Sequence, residues 1–280
     1  MKVLPFQIPK PTKDALIYQE DYEYIFYDKF HQHQEIQLSY ILEGEGTLIV
    51  GDTISNYQKG DVLAIGSNLP HLFKSEPNSK TKSHMLTLFF TEDGFGNDFF
   101  KLEELSEVHS FFNRIENGFK VTSYKKQLEQ AFLALKESSK LERFVYFLQI
   151  LKLTSKGKKQ SLSSYAYGKN YSADEGKRMQ DVMSFTMNHF HQVITLDEIS
   201  QVAAMTKNAF CKYFKKRTNK TYVQFLNELR IENASKLLLN KNELSVAEVA
   251  YQCGFGNLSN FNRQFKTVKK KTPSQYKQFI

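Results

Sequence analysis

The sequence predicts two domains of different class. The first is a small β-barrel followed by helices. The second is an all-α domain with two helix-turn-helix units joined by a long helix. Three observations carry this. Short stretches rich in β-branched and aromatic residues, broken by Gly, Asp and Pro, run from Glu23 to about Leu88. Apolar residues three and four apart take over from Lys101. Near the C-terminus the chain repeats itself: Leu196–Arg217 (LDEISQVAAMTKNAFCKYFKKR) and Val246–Lys266 (VAEVAYQCGFGNLSNFNRQFK) share one pattern. Each reads as a short helix, a tight break and a second helix ending in Phe-x-x-x-Phe-Lys, so Phe210 and Phe214 match Phe261 and Phe265.

The 280 residues are enough for two cores. The opening MKVLPFQIPKPTK has no apolar run and is broken by prolines, which argues against a secretory segment. No window is apolar for long enough to span a membrane. Two cysteines, Cys211 and Cys253, are too few for a disulfide framework or a four-thiolate zinc site, and a reduced, cytoplasmic setting is expected. Charge divides unevenly. Residues 1–175 carry 21 Lys or Arg against 23 Asp or Glu, a net of −2; residues 176–280 carry 17 against 7, a net of +10. A basic C-terminal half implies a polyanion partner for that end, and its globular patterning points to nucleic acid rather than a membrane surface.

Within the first half, YEYIFYDKF, IQLSYILEGEGTLIVGD, GDVLAIG and HMLTLFF read as strands, with turns at Gly44, Gly46, Gly51-Asp52, Gly60-Asp61 and Asn68-Leu69-Pro70. Many short strands so punctuated suggest a double-sheet, jelly-roll barrel. LEELSEVHSFFNRI, YKKQLEQAFLALKES and ERFVYFLQILKLTS then read as helices that pack on the barrel or supply a dimer face. The expected first domain is 1–153. Residues 154–176, rich in Ser, Gly, Lys and Asn, read as a linker, leaving 177–280 as the second domain. There, a helical period resumes from Lys177 to Phe190. Thr195 with Glu198, and Ser245 with Glu248, have capping-box spacing. Thr221 to Leu239 reads as the connecting helix, and Thr272-Pro273 opens a last one.

A recognition helix needs one face in the core and the other against base edges. In the first unit Phe210, Tyr213 and Phe214 are expected inward, leaving Asn208, Cys211, Lys212 and Lys215 outward. In the second, Phe261 and Phe265 are inward, and Leu258, Ser259, Asn262 and Arg263 face the groove. Asn pairs with adenine, and Arg with guanine bidentately, which makes Arg263 the first candidate for base reading. Lys207, Lys216, Lys266, Lys269, Lys270 and Lys271 are expected at phosphates.

The stretch LRIENASKLLLNKNELSVAEVAYQCGFGNLSNFNRQFKTVKKKTPSQY resembles the AraC-type family of bacterial transcription regulators. The resemblance rests on Leu229-Arg230, Ala234-x-x-Leu237-Leu238, Val246-Ala247-Glu248-Val249-Ala250, Cys253-Gly254-Phe255, Phe261-Asn262-Arg263-x-Phe265-Lys266 and Thr272-Pro273-x-x-Tyr276. It covers about 100 residues. It implies two adjacent major-groove contacts, with Asn208, Cys211 and Lys212, then Leu258, Ser259, Asn262 and Arg263, facing bases. Activation of RNA polymerase is the family's usual role, and a homodimer is expected through the helical middle segment. Asn219 and Lys270 stand where the family usually has Gly, so a different backbone is expected at Lys270. Lys212 stands where many members carry Arg.

His31 and His33 share a strand face by alternation, and His71 from a later strand would complete a three-nitrogen metal set. Glu35 shares that face. The region HQHQEIQLSYILEGEGTLIV…YQKGDVLAIGSNLPHLF resembles a cupin barrel, the sensor domain of such regulators. The cupin pattern implies ligands at His31, His33, Gln37 and His71, with Gln37 where metal-binding cupins usually carry Glu. The leading expectation is a metal-free pocket for a small organic effector, lined by Tyr24, Phe26, His31, His33, Gln37, Tyr40 and His71. The implied whole is a ligand-responsive, non-enzymatic regulator of promoter DNA. The alternative is a metal-dependent cupin enzyme fused to a DNA-binding module.

Overall fold

Side-chain alternation along short strands builds two sheets, which meet face to face in the first of two units, residues 1–176. The computed structural model describes residues 14–76, 82–164, 172–239 and 244–277. The strands are β1 (Leu16–Glu23), β2 (Ile36–Glu43), β3 (Gly46–Val50), β4 (Thr53–Tyr57), β5 (Val62–Ile65), β6 (His71–Ser75), β7 (Ser83–Phe90), β8 (Phe119–Val121) and β9 (Lys159–Ser161). One sheet runs β1-β7-β2-β5-β8-β9 and the other β4-β3-β6, with antiparallel pairing throughout.

The larger sheet has two buried faces, each with its own core. Leu38 and Tyr40 of β2, Val62 and Ala64 of β5, and Leu86, Leu88 and Phe90 of β7 join Phe111, Phe132 and Phe147 from helices. Their odd-phase neighbours Ile41, Leu63, Ile65 and Met85 point the other way, into the barrel, against Leu48, Val50, Tyr57 and Phe73. The helices are α1 (His109–Ile115), α2 (Lys125–Ala134) and α3 (Lys140–Lys156), with Ser139 and Glu142 forming a capping box at the start of α3. Residues 103–108, expected as the start of an α-helix, form a 3-10 turn instead.

Several expectations are corrected. Residues 24–30 are irregular, and the strand lies earlier, at β1, where it pairs with β7 from Leu16 opposite Phe90 to Glu23 opposite Ser83. The linker is much shorter than 154–176. Thr154 and Ser155 are buried inside α3, and Lys159–Ser161 add a strand to the sheet. Asp52, buried in the β3–β4 turn, accepts hydrogen bonds from Ser163 Oγ (2.9 Å), Ser164 N (3.0 Å) and Ser164 Oγ. Of the expected linker, residues 165–171 lie outside the described residues.

The second unit, residues 177–280, is helical. Its helices are α4 (Ala173–His189), α5 (Leu196–Val202), α6 (Lys207–Thr218), α7 (Tyr222–Leu239), α8 (Val246–Gln252), α9 (Leu258–Lys269) and α10 (Pro273–Lys277). Thr195–Glu198 and Ser245–Glu248 form the two expected capping boxes. Helix α7 is apolar on more than one side because it serves two cores. Tyr222 and Phe225 at its start pack on Phe214 of α6, whereas Ile231, Ala234 and Leu238 further along pack with Val249, Phe261 and Phe265. Among the described residues no helix is long and apolar enough to cross a membrane.

Candidate nucleic-acid interface and histidine cluster

The two helix pairs correspond within each helix, with one residue more in the turn of the second pair. In each, a backbone N–H after the turn reaches a carbonyl five residues back: Met205 N to Ser200 O (2.9 Å) and Phe255 N to Ala250 O (3.0 Å). Ala204 and Gly254 occupy the same left-handed turn position, at φ 51° and 82°. Thr206 and Asn257 cap the second helices, α6 and α9, from equivalent places. Both helices end in left-handed residues, Asn219 (φ 54°) and Lys270 (φ 59°), whose N–H groups close on Lys215 O and Lys266 O. The backbone difference expected at Lys270 is therefore absent: the helix terminus imposes the left-handed conformation on lysine.

In this frame Asn208, Cys211, Lys212 and Lys215 match Ser259, Asn262, Arg263 and Lys266. All eight are exposed, as is Leu258, while Phe210, Phe214, Phe261 and Phe265 are fully buried beneath them. Arg263 is held by a hydrogen bond from its Nη2 to Asn260 Oδ1 (3.0 Å), one turn back on α9. Lys269 is placed differently. Its Nζ lies 2.6 Å from Glu232 Oε2 on α7, with both side chains largely buried, so it ties α9 to α7 and is not presented to solvent. Lys207 pairs with Asp197 at 2.8 Å on the surface.

At one end of the barrel, His31, His33 and His71 converge. His31 and His71 exchange backbone hydrogen bonds (3.0 and 2.8 Å), which brings their ring centroids to 4.3 Å. His33 lies 5.0 Å from His71 by centroid, and all three rings are buried. Each Nδ1 donates to a carbonyl: His31 to Lys29 O (2.7 Å), His33 to Glu35 O (2.8 Å), and His71 to Leu69 O (2.8 Å). In the neutral rings this leaves the lone pair on Nε2. One potential ligand atom from each ring lies within 4.8 Å of the others. Gln37 donates from its amide nitrogen to Ser39 Oγ (2.8 Å), which itself meets Thr87 Oγ1 (2.9 Å). That turns Gln37 Oε1 towards His33 Nε2, at 3.1 Å.

A helix-turn-helix domain model matches residues 199–278, and a cupin domain model matches residues 27–87. An uncharacterized HTH-type transcriptional regulator of Bacillus subtilis, YdeC, is 26% identical over 261 residues, covering 90% of this chain and 86% of that protein. The chain is a DNA-binding transcription regulator with a cupin domain and a helix-turn-helix domain, and it is similar to regulators of the AraC type. A probable transcriptional regulator of Photobacterium leiognathi, LumQ, is 23% identical over 254 residues, with 90% of this chain and 92% of that one covered. Among solved structures, a variant of apo ToxT from Vibrio cholerae is similar over 94% of this chain and 97% of that one, at 13% identity and a TM-score of 0.37.

Not every residue expected around an effector pocket lies near the three histidines. Tyr24 is 61% exposed on the outside, with the Lys82 ammonium 5.6 Å from its ring. Tyr40 points into the helix-packed face, stacks on Phe132 and donates to Glu129 Oε1 (2.9 Å). Strand parity explains this: Gln37 and Tyr40 are three residues apart on β2 and must face opposite ways. Phe26 does lie inside the barrel, packed edge-on to Phe73 in its apolar core. Ser39 and Thr87, absent from the expected set, orient Gln37. Their signal was again parity, because Gln37 and Ser39 share a face. Glu35 turns its backbone carbonyl to His33, and its carboxylate lies 3.8 Å from His33 Nδ1.

Proposed function

We propose that this regulator is ligand-responsive: the cupin domain binds an effector at the three-histidine end, and the helical unit reads two adjacent major-groove segments of promoter DNA. The reading rests on one observation. Two recognition helices with matched frames expose Asn208, Cys211, Lys212 and Lys215, and Leu258, Ser259, Asn262, Arg263 and Lys266, on a unit of net charge +10. Base-edge donors on such helices supply specificity, and the surrounding lysines supply salt-dependent affinity. The chain acts by binding, without turnover, in the cytoplasm, as a homodimer that contacts RNA polymerase at its promoters. Its effector is a small organic molecule able to accept or donate hydrogen bonds at imidazole and amide groups. Ligand acts by favouring one DNA-binding arrangement over another.

A divalent transition metal as the effector, or as its anchor, is the second reading. The convergence of three rings with Nδ1 pinned to carbonyls favours it, since such outer hydrogen bonds fix the tautomer that a metal-binding imidazole needs. His31, His33 and His71 would hold the ion through nitrogen, with Gln37 Oε1 as a neutral oxygen ligand. The residues fit zinc, nickel or iron, and the ion would supply a Lewis-acidic point for an anionic or carbonyl-bearing molecule.

Selection of genomic fragments by the purified full chain at near-physiological salt tests the DNA reading. A motif of two segments about 10 base pairs apart is expected. Fragments without a shared motif, with and without added metal, would overturn it.

A further inference from the structure

The two halves of the DNA-binding unit have separate cores, so something must hold one recognition helix at a set angle to the other. Helix α7 joins them, and it changes allegiance between Leu229 and Ile231. Before this point its side chains pack with α6; after it they pack with α8 and α9. Arg230 lies at the change and is only 9% exposed. Its Nε donates to Phe190 O (2.8 Å) and its Nη2 to Gln192 O (2.7 Å), both in the connection between α4 and α5 of the first half. The same guanidinium stands 5.7 Å from the ring centroid of Phe255, in the turn of the second half. No other residue type offers a planar fork long enough to meet two carbonyls and an aromatic face together.

The neighbours leave no slack. A side chain at Gly254 would meet Phe190 O at 2.6 Å and Arg230 Nε at 3.0 Å, so the turn of the second half abuts the carbonyl that Arg230 grips in the first. Two ion pairs flank this point on α7. Glu228 holds Lys220, which follows α6, and Glu232 holds Lys269, the last residue of α9, both at 2.6 Å. One turn of α7 thus fastens the far end of each recognition helix and, between them, joins the α4–α5 connection of the first half to the turn of the second.

We infer that Arg230 is a positioning residue for DNA recognition: it fixes the relative setting of the two recognition helices and so sets the spacing between the two DNA segments that the regulator accepts. Arg230 is largely buried and carries no sequence information itself. It acts on specificity by making the second contact contingent on the first, which is an effective-concentration effect lost when the geometry loosens. The inference rests on the two-segment reading of DNA binding.

The test uses the full chain and duplexes that the wild-type chain selects from a randomised library. Affinity is measured for the selected duplex, for versions with either segment scrambled, and for versions with the spacer lengthened or shortened by one base pair. For Arg230→Met the expected result is a loss of about tenfold on the selected duplex. Affinity for single-segment duplexes should stay within about twofold of wild type, and the preference for the native spacer should shrink several-fold. Equal losses on single- and two-segment duplexes with an unchanged spacing preference would overturn the inference, since that is what general destabilisation produces. If Arg230→Met does not fold by circular dichroism, Arg230→Lys, which keeps one donor for a carbonyl, is read in the same way. A wild-type motif of one segment would instead sink the two-segment reading, and this inference with it.

Discussion

Lys269 shows how far a charge count can mislead at a single residue. Composition places it among lysines free to meet phosphate, but its ammonium is committed to Glu232 at 2.6 Å and both side chains are mostly shielded. Lys269→Ala should therefore destabilise the domain by about 1–3 kcal/mol, because it removes the ion pair from a largely buried carboxylate. The slope of DNA affinity against salt should hardly change. A slope reduced by about one, with unchanged melting temperature, would return Lys269 to the phosphate set. Arg263 behaves oppositely: it is exposed and braced by Asn260. Arg263→Ala should cost about 1–3 kcal/mol on the selected duplex and relax preference at one or two base pairs. Weakening that is uniform over all sequences would make Arg263 a phosphate contact. The two cysteines divide the same way. Burial pushes the Cys253 thiol up to about 12, which keeps it in its unreactive protonated form, whereas Cys211 stands exposed on the recognition helix.

Among elements, those announced by local chemistry were legible and those made by partners were not. Both capping boxes, the connecting helix and both recognition helices follow from spacing and cap residues alone. Strands β8 and β9 are three residues each and exist because the sheet edge offers them a ladder, a fact no local window carries. The histidine set was legible because i, i+2 alternation put His31 and His33 together. Tyr24 and Tyr40 were misplaced because their strand ends and phase were not resolved. Turn chemistry gives two predictions. Gly254→Val should lower the melting temperature and DNA affinity together, since the residue is left-handed and its Cβ would lie 2.6 Å from Phe190 O; unchanged values would mean the turn is not so constrained. Ala204 bears the same left-handed strain without that contact, so Ala204→Gly should raise stability by about 1 kcal/mol, read by thermal melting. The capping boxes give a pH dependence. Hydrogen bonds from Ser245 hold the Glu248 carboxyl below its ordinary range, so its contribution is present at neutral pH and fades as pH falls through that lowered value. Glu248→Gln keeps a cap geometry and should flatten that acid limb; an identical acid limb in the variant would show that the box is not its source.

Over the whole molecule, charge is divided unevenly between the two units. The basic unit carries the DNA-facing helices, and the nearly neutral unit carries the exposed apolar residues of α3. Leu141 and Val145, four apart on that helix, are 73% and 58% exposed, although Phe147, Ile150 and Leu151 on its other side are fully buried. A helix apolar on two sides is expected to cover the second one, and in the proposed homodimer a second copy of this chain would cover it. Pairing through α3 would place two DNA-binding units on one operator and raise apparent affinity by about 10²-fold or more without adding any base contact. The double variant Leu141→Glu with Val145→Glu should then sediment as a monomer and lose roughly that factor on an operator with two binding sites. Its affinity for a duplex with one site, and its melting temperature, should stay near wild type, since neither residue is in a core. A wild-type chain that sediments as a monomer at micromolar concentration, with and without DNA, would remove dimerisation from the account. A dimer unaffected by both charges would move the interface to another face.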